Sequence, residues 1–276
     1  MKEITLDELK VLQMDVLSAV HRFCEANNLR YSLACGSMLG AARHKGYIPW
    51  DDDIDIYLLR EDYDRMIELF PDLLEGRYKF CTLERDKKWG LPFGKVCDTK
   101  TVLEEGVYHS YDLGVNIDVF PIDKVPENET EWKKYDSQRR KLYHVYFKRE
   151  TLSFASNFNN GKSLIRNIIT TILKPFFYFV SVRFLAKIFQ KYDIKYNNTP
   201  STLVFECAQG IFQKHPFPKM LFDNRILMPF EDREYMCFSD YDSYLTNGFG
   251  DWRQLPPIGK RVSHHDFKAW WKDTSK

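Results

Sequence analysis

The sequence carries almost no net charge, which limits what it can bind through its overall electrostatic field. Lysine and arginine together number 40, and aspartate and glutamate together number 39. A general nucleic-acid binder usually shows a clear basic excess. We therefore expect no nucleic-acid partner, and any phosphate binding must come from local clusters of basic residues.

The sequence also lacks closely spaced cysteines, a secretory leader and a long uncharged run. Its six cysteines are widely scattered with no CxxC pair, which favours reduced, buried thiols. The first residues, MKEITLDELK, are charged and not typical of a secretory signal. Thr5 to Glu8 fit a capping box, and apolar residues then recur at helical spacing to about Asn27, which predicts an amphipathic helix. No run of about 18 residues is free of charge, so no transmembrane helix is predicted. These features predict a cytoplasmic protein.

The strongest chemical signal lies in residues 35–57, which read CGSMLGAARHKGYIPWDDDIDIY. Polar and apolar residues alternate over 53–57, so a strand would place Asp53 and Asp55 on one face, with Asp51 beside them if the strand starts early enough. Neighbouring carboxylates call for a compensating cation, and Mg²⁺ or Mn²⁺ prefers such oxygen ligands. The alternative interpretation of a DxD pair is an acidic strand edge that discourages aggregation.

A Gly-Ser pair and a basic cluster precede the aspartates. Gly36 and Ser37 lie between a run that can form a strand and one that can open a helix, where exposed amides attract phosphate. Arg43 and Lys45 follow, and beside a metal strand they would neutralise a diphosphate. On an ordinary surface such a cluster is simply solvated.

A further carboxylate is predicted from residues 114–123, GVNIDVFPID. Asn116 and Asp118 share one face of a strand, so Asp118 can complete a metal site or accept a proton from an incoming hydroxyl. Asp123 is expected to cap or turn the chain after the proline. Lys95 alternates with apolar neighbours, which places it either toward the site or at a strand edge.

Residues 164–192 form the most apolar and aromatic part of the second half, but basic residues recur through them. Two interpretations remain open. The segments could lie on an anionic membrane face with their basic side chains reaching toward the lipid headgroups. They could equally be core helices.

Three stretches of the chain resemble the LicD family of phosphocholine and phospho-alditol transferases, whose relatives include fukutin-type proteins. These are GSMLGAARHKGYIPWDDDIDI, IDVFPID and the C-terminal GFGDWRQLPP. The resemblance implies an α+β fold with a nucleotidyltransferase-like mixed sheet flanked by helices, and a mainly helical second half. It divides the chain into a catalytic core, 1–125, and a helical and loop-rich extension, 126–276, that completes the active site. In that extension Asp251, Trp252, His264 and His265 are implied to contact substrate.

The resemblance also implies a reaction. Phosphocholine, or a related phospho-substituent, would pass from a CDP-linked donor such as CDP-choline to a hydroxyl of a teichoic acid, lipopolysaccharide or capsule glycan, which can be lipid-linked. The protein would work in the cytoplasm, at the inner face of the cell membrane if 164–192 contacts lipid. Aromatic side chains could hold a quaternary ammonium, the candidates being Trp50, Trp89, Tyr108, Tyr111 and Trp252. Two alternatives stay open: a nucleotidyltransferase that releases pyrophosphate, and a catalytically silent scaffold at the membrane surface.

Overall fold

A mixed sheet occupies the centre of the protein. The computed structural model describes residues 1–105, 113–151, 180–210, 212–262 and 267–273. The central strands run in the order β2 (Tyr31–Leu33), β3 (Asp55–Leu59), β7 (Asn116–Lys124), β5 (Gly94–Asp98) and β4 (Tyr78–Cys81). β3 and β7 are parallel, whereas the other neighbours in this order are antiparallel. Two short strands, β8 (Leu203–Phe205) and β9 (Phe217–Pro218), extend the sheet from the end of β7.

Helices flank this sheet, as predicted. The first helix, α1 (Leu6–Ala26), begins with the capping box that the sequence indicates, because Thr5 Oγ1 accepts the N–H of Glu8 and the Glu8 carboxylate accepts the N–H of Thr5. Its apolar face packs on β5 and β7. Two shorter helices, α2 (Cys35–His44) and α3 (Arg60–Leu69), flank β3. The central strands are buried because both of their faces are covered.

The second half contributes both helices and strands. Its helices are α4 (Glu129–Thr151), α5 (Val182–Asp193) and α6 (Tyr241–Phe249). β10 (Arg225–Phe230) and β11 (Arg233–Phe238) form a hairpin, and β11 lies beside β2. A three-stranded sheet joins β1 (Lys2–Glu3), β12 (Phe267–Trp271) and β6 (Thr101–Glu105). The main hydrophobic core takes residues from both sides of residue 125, so the division into two regions there stays a prediction.

The environment of Asp123 differs from the sequence expectation. It was predicted to cap or turn the chain, but β7 continues through it and its side chain is fully buried. Arg60 Nε and Nη2 each donate to its carboxylate at 2.8 Å. The prediction was wrong because the counter-charge that permits this burial comes from α3, which is distant in sequence.

The remaining global expectations concern thiols and membrane spans. All six cysteines are free thiols and five are buried, in agreement with the sequence. Within the described ranges, no helix has both the length and the apolar character needed to cross a bilayer. Most of 164–192 lies outside the described residues, and its described end forms α5.

Candidate active site

The first turn of α2 stands at one end of the candidate site. β2 ends at Leu33 and α2 begins at Cys35, so Gly36 and Ser37 lie inside the helix and not in a turn before it. Ser37 is buried, and its Oγ accepts the backbone N–H of Asp55 at 2.9 Å. Ser37 therefore braces the start of β3, and the described cavity is not lined by its side chain.

Gly36 allows an aspartate to approach this turn. A Cβ built on Gly36 would lie 2.6 Å from Asp51 Oδ2, which is closer than a carbon and an oxygen can pack. The absence of a side chain at Gly36 thus permits the close approach of a carboxylate of the same chain. Any larger side chain at this position would displace Asp51.

The aspartate run is a compact cluster and not the beginning of a strand. The N–H of Asp51 donates to Ile48 O at 2.8 Å, which closes a turn, and β3 begins only at Asp55. One carboxylate oxygen from each of Asp51, Asp52 and Asp53 lies within 4.8 Å of the others. Strand alternation assigned Asp52 to the opposite face, so the sequence reasoning missed it. The run of three aspartates was the signal that could have identified it.

Three neighbouring strands bring the other charged groups together. Asp55 on β3 stands opposite Asp118 in the parallel pairing with β7, and Asp118 stands opposite Lys95 on β5. Lys95 Nζ lies 2.7 Å from Asp118 Oδ1 and 3.3 Å from Asn116 Oδ1. Of the two predicted orientations of Lys95, the structure shows the one toward the site.

The carboxylates of this cluster repel one another. Burial, reinforced by the negative charges of Asp53 and Asp118, raises the pKa of Asp55 well above its ordinary range, and Lys95 only partly opposes this. Asp51, Asp53, Asp55 and Asp118 all line one cavity of about 1080 Å³. A cluster of carboxylate oxygens on a water-accessible wall suits a hard divalent cation such as Mg²⁺. The residues present therefore fit the ion that the sequence predicts.

The C-terminal loop forms another wall of this cavity. Arg43 lines it, and its Nη1 donates to Trp252 O at 2.7 Å and to Gln254 O at 3.2 Å, which ties α2 to that loop. The Trp252 indole is mostly buried, its Nε1 donates to Asp242 Oδ1 at 2.9 Å, and Asp251 is exposed at the rim.

Not every predicted site residue lines the cavity. Lys45 is exposed at the C-terminal end of α2 and is not among the lining residues. Trp89 is buried and donates from Nε1 to Phe93 O, whereas Trp50 does line the cavity. Outside the described residues lie His264, His265, Tyr108 and Tyr111.

A loop of the second half, within residues 202–210, forms a wall of the cavity that the sequence did not predict. Glu206 lines the cavity, and its carboxylate accepts the backbone N–H groups of Gln209 and Gly210, both at 2.7 Å. Burial raises the pKa of Glu206. Arg139, which is fully buried, donates from Nη1 to Cys207 O at 3.0 Å and holds this loop in place. No local motif marks residues 202–210, so only tertiary structure identifies them.

Comparison with known proteins shows the family of this chain. The family described as "LicD/FKTN/FKRP, nucleotidyltransferase domain" matches residues 28–159. The lipopolysaccharide cholinephosphotransferase LicD of Haemophilus influenzae is 30% identical over 276 residues, which cover 98% of this chain and 99% of that protein. Ribitol 5-phosphate transferase FKRP of human and of mouse is 55% identical over 38 residues, which are 14% of this chain and 8% of FKRP. Similarity along almost the whole chain shows that the protein belongs to the LicD family and is a transferase of the LicD type.

Proposed function

We propose that this protein transfers phosphocholine, or a closely related phospho-substituent, from a CDP-linked donor to a hydroxyl of a cell-surface glycan with the help of Mg²⁺. One observation carries the proposal: the parallel pairing of β3 with β7 sets Asp55 beside Asp118 next to the Asp51–Asp53 cluster, and Asp51 and Asp53 line the same cavity as this pair. Mn²⁺ is an alternative ion because it accepts the same oxygen ligands.

The metal would be held by the carboxylates of Asp51, Asp53, Asp55 and Asp118. When bound, the ion would neutralise charge on the donor diphosphate and on the phosphoryl group in transfer. The Asp52 carboxylate, which is mostly buried beside this set, would add to the negative charge that attracts the cation. Gln13 stabilises the chain there, since its Nε2 donates to the Asp52 carbonyl at 2.9 Å.

Cationic side chains on the same cavity would bind the donor phosphates. Arg43, Lys95 and Lys260 line it in the described part of the chain. Arg43 is held in place by two carbonyls of the C-terminal loop, and Lys95 by Asp118 and Asn116. Groups fixed in advance stabilise developing charge without a further cost of reorganisation. Lys45, exposed at the end of α2, is less suited to the predicted phosphate role than these three.

The chemistry we propose needs no protein nucleophile. The acceptor oxygen forms a bond to the donor's distal phosphorus, the bond from that phosphorus to the CMP oxygen breaks, and CMP leaves with the electron pair. The acceptor's proton passes to a carboxylate at the site, for which Asp118 is our candidate because it stands on the cavity wall. The contribution of the protein is then mainly positioning and charge neutralisation.

An aromatic wall supports choline as the transferred alcohol. Trp50, Phe212, Phe249 and Trp252 line the cavity, and Glu206 lines it as well. Aromatic faces and a carboxylate together attract a quaternary ammonium. A glycan acceptor is supported by the Haemophilus relative, which is named for lipopolysaccharide. Teichoic acid and capsule, with or without a lipid carrier, belong to the same proposal.

Product analysis tests the proposal directly. The purified protein is incubated with Mg²⁺ and CDP-choline, CDP-ribitol or CTP, with and without candidate glycans, and CMP and pyrophosphate are measured. We expect the wild type to release CMP from CDP-choline. Asp118→Asn should lower the rate of CMP release by about a hundredfold or more. Asp232→Asn, which changes an exposed aspartate on the β10–β11 hairpin, should leave the rate unchanged. Pyrophosphate from CTP in place of CMP would mean a nucleotidyltransferase. Absence of both products with every donor would overturn the proposed reaction.

A further inference from the structure

One side of α5 exposes large apolar side chains to solvent. Phe184 is 58% exposed and Ile188 is 41% exposed, although the opposite side of the helix buries Ala186 and Phe189. Lys187 and Lys191 are also exposed, and so is Lys195, in the short 3-10 helix Ile194–Tyr196 that continues from α5. These five exposed residues, which we call the α5 face, recur at the three- and four-residue spacing of one helical stripe. Their arrangement alternates aromatic or aliphatic groups with lysines.

The charge on this face has one sign. Asp193 is the single acidic residue of α5, and it is 1% exposed on the buried side. A stripe of lysines around apolar side chains complements a surface that is anionic and has an apolar interior. We propose that the α5 face docks the protein onto an anionic lipid bilayer, with Phe184 and Ile188 entering the acyl boundary and the lysines meeting the headgroups.

The neighbouring helix α4 also exposes apolar side chains. Val145 is 38% exposed and Phe147 is 37% exposed there. The two helices pack through Tyr143 and Phe189, whose ring centroids lie 5.7 Å apart. The α5 helix therefore belongs to a side-by-side helix pair in which both helices expose apolar side chains.

The α5 helix is joined rigidly to a wall of the active-site cavity. The Arg183 guanidinium donates to Leu83 O at 2.5 Å, Asp86 O at 2.6 Å and Trp89 O at 3.0 Å. The indole of Trp89 in turn donates to Phe93 O at 2.9 Å, and Phe93 lines the cavity. Docking of α5 would thus fix how the cavity is oriented relative to the bilayer, which suits a lipid-linked acceptor. The link to a lipid-linked acceptor rests on the proposed function, whereas the docking itself does not.

Vesicle binding tests the proposal with the full chain. Co-sedimentation is measured on vesicles of phosphatidylcholine alone and of phosphatidylcholine mixed in equal parts with phosphatidylglycerol. We expect binding to the anionic vesicles that weakens as salt rises. In the double variant Lys187→Gln, Lys191→Gln, the partition coefficient onto anionic vesicles should fall about fivefold for each lysine removed. In the double variant Phe184→Ser, Ile188→Ser, it should fall roughly tenfold or more.

Matched variants elsewhere separate this face from general surface properties. Lys100→Gln, Lys268→Gln removes the same charge from exposed positions near the three-stranded sheet, and Ile226→Ser, Leu227→Ser removes exposed apolar groups from β10. Both should bind as the wild type does. Equal loss in these controls, or wild-type binding by the α5 variants, would overturn the proposal.

The remaining outcomes are also decisive. Circular dichroism and thermal unfolding confirm that each variant is folded. If the α5 variants fail to change vesicle binding but convert a dimer to a monomer in analytical ultracentrifugation, the face is a protein interface and the proposal is wrong. CMP release from CDP-choline in the absence of lipid should be the same in wild type and α5 variants. If neither the wild type nor any α5 variant releases CMP, the proposed function is refuted, but the docking result still stands.

Discussion

Replacement of Lys95 by methionine tests whether the carboxylates form a cation site. Lys95 places its ammonium 2.7 Å from Asp118 Oδ1, and the two side chains are 7% and 17% exposed. Methionine keeps most of the apolar length of lysine but removes the charge. Asp118 would then face the other aspartates without this partner, so the folded state should lose stability.

The expected loss follows from burial. Removal of one partner of a buried ion pair costs about 3–5 kcal/mol, whereas an exposed pair contributes about 0–1 kcal/mol. Asp118 still faces the cavity and keeps partial access to water. We therefore expect Lys95→Met to lower the free energy of unfolding by about 3 kcal/mol in the presence of EDTA.

Divalent cations should reverse part of this loss. Without the Lys95 ammonium, the cluster attracts Mg²⁺ more strongly, and binding about tenfold tighter would restore about 1.4 kcal/mol at saturation. Turnover should nevertheless fall, because the phosphate-binding charge is gone. Urea unfolding followed by circular dichroism, with EDTA and with saturating Mg²⁺, measures both free energies, and CMP release measures turnover.

Lys79 on the adjacent strand β4 supplies the control. Its Nζ lies 3.1 Å from Asp86 Oδ2, but its side chain is 45% exposed. Lys79→Met should therefore lose no more than about 1 kcal/mol, with or without Mg²⁺. If the two variants lose equal stability, or if Mg²⁺ stabilises Lys95→Met no more than wild type, the reasoning about the site is refuted.

Three further variants probe the site and the loop behind it. Gly36→Ala should lower Mg²⁺-dependent turnover about a hundredfold with the fold retained, because its Cβ would displace a carboxylate of the site. Gly259→Ala, which lines the same cavity and has open space around it, should leave turnover unchanged. Asp55→Asn should raise the unfolding free energy by about 0.5–2 kcal/mol at neutral pH without divalent ions, because burial and neighbouring charges raise the pKa of Asp55. Wild type should regain this stability as pH falls toward the ordinary aspartate range, since protonation then favours the folded state. Arg139→Met should cost about 3–5 kcal/mol and impair turnover in whatever remains folded, whereas the exposed Arg140→Met should cost about 0–1 kcal/mol.

Specific measurements would contradict each expectation. Wild-type turnover in Gly36→Ala would show that the close approach at α2 is unimportant. A stability difference between wild type and Asp55→Asn that does not shrink with falling pH would rule out a raised pKa as its cause. Equal losses on replacement of Arg139 and Arg140 would mean that burial does not distinguish these two partners of Asp136.

The local elements of this protein were predictable because their signals lie within a few residues. The capping box at Thr5 and the helical spacing after it predicted α1, and polar-apolar alternation predicted the shared faces of Asn116 and Asp118 on β7. The same rule failed for residues 51–53, because a turn closes at Ile48 and β3 begins only at Asp55. Alternation carries information only where the backbone is extended.

Sequence alone determined the chemistry available to this protein: a run of aspartates, a nearby glycine, and a later aspartate on a strand, in an order that identifies the family. Tertiary structure decided which of these groups meet. The pairing of β3, β7 and β5 sets Asp55, Asp118 and Lys95 side by side, and it depends on long-range burial of apolar faces that no short stretch encodes. The contribution of Glu206 arose in the same way, because a distant buried arginine, Arg139, holds its loop against the cavity.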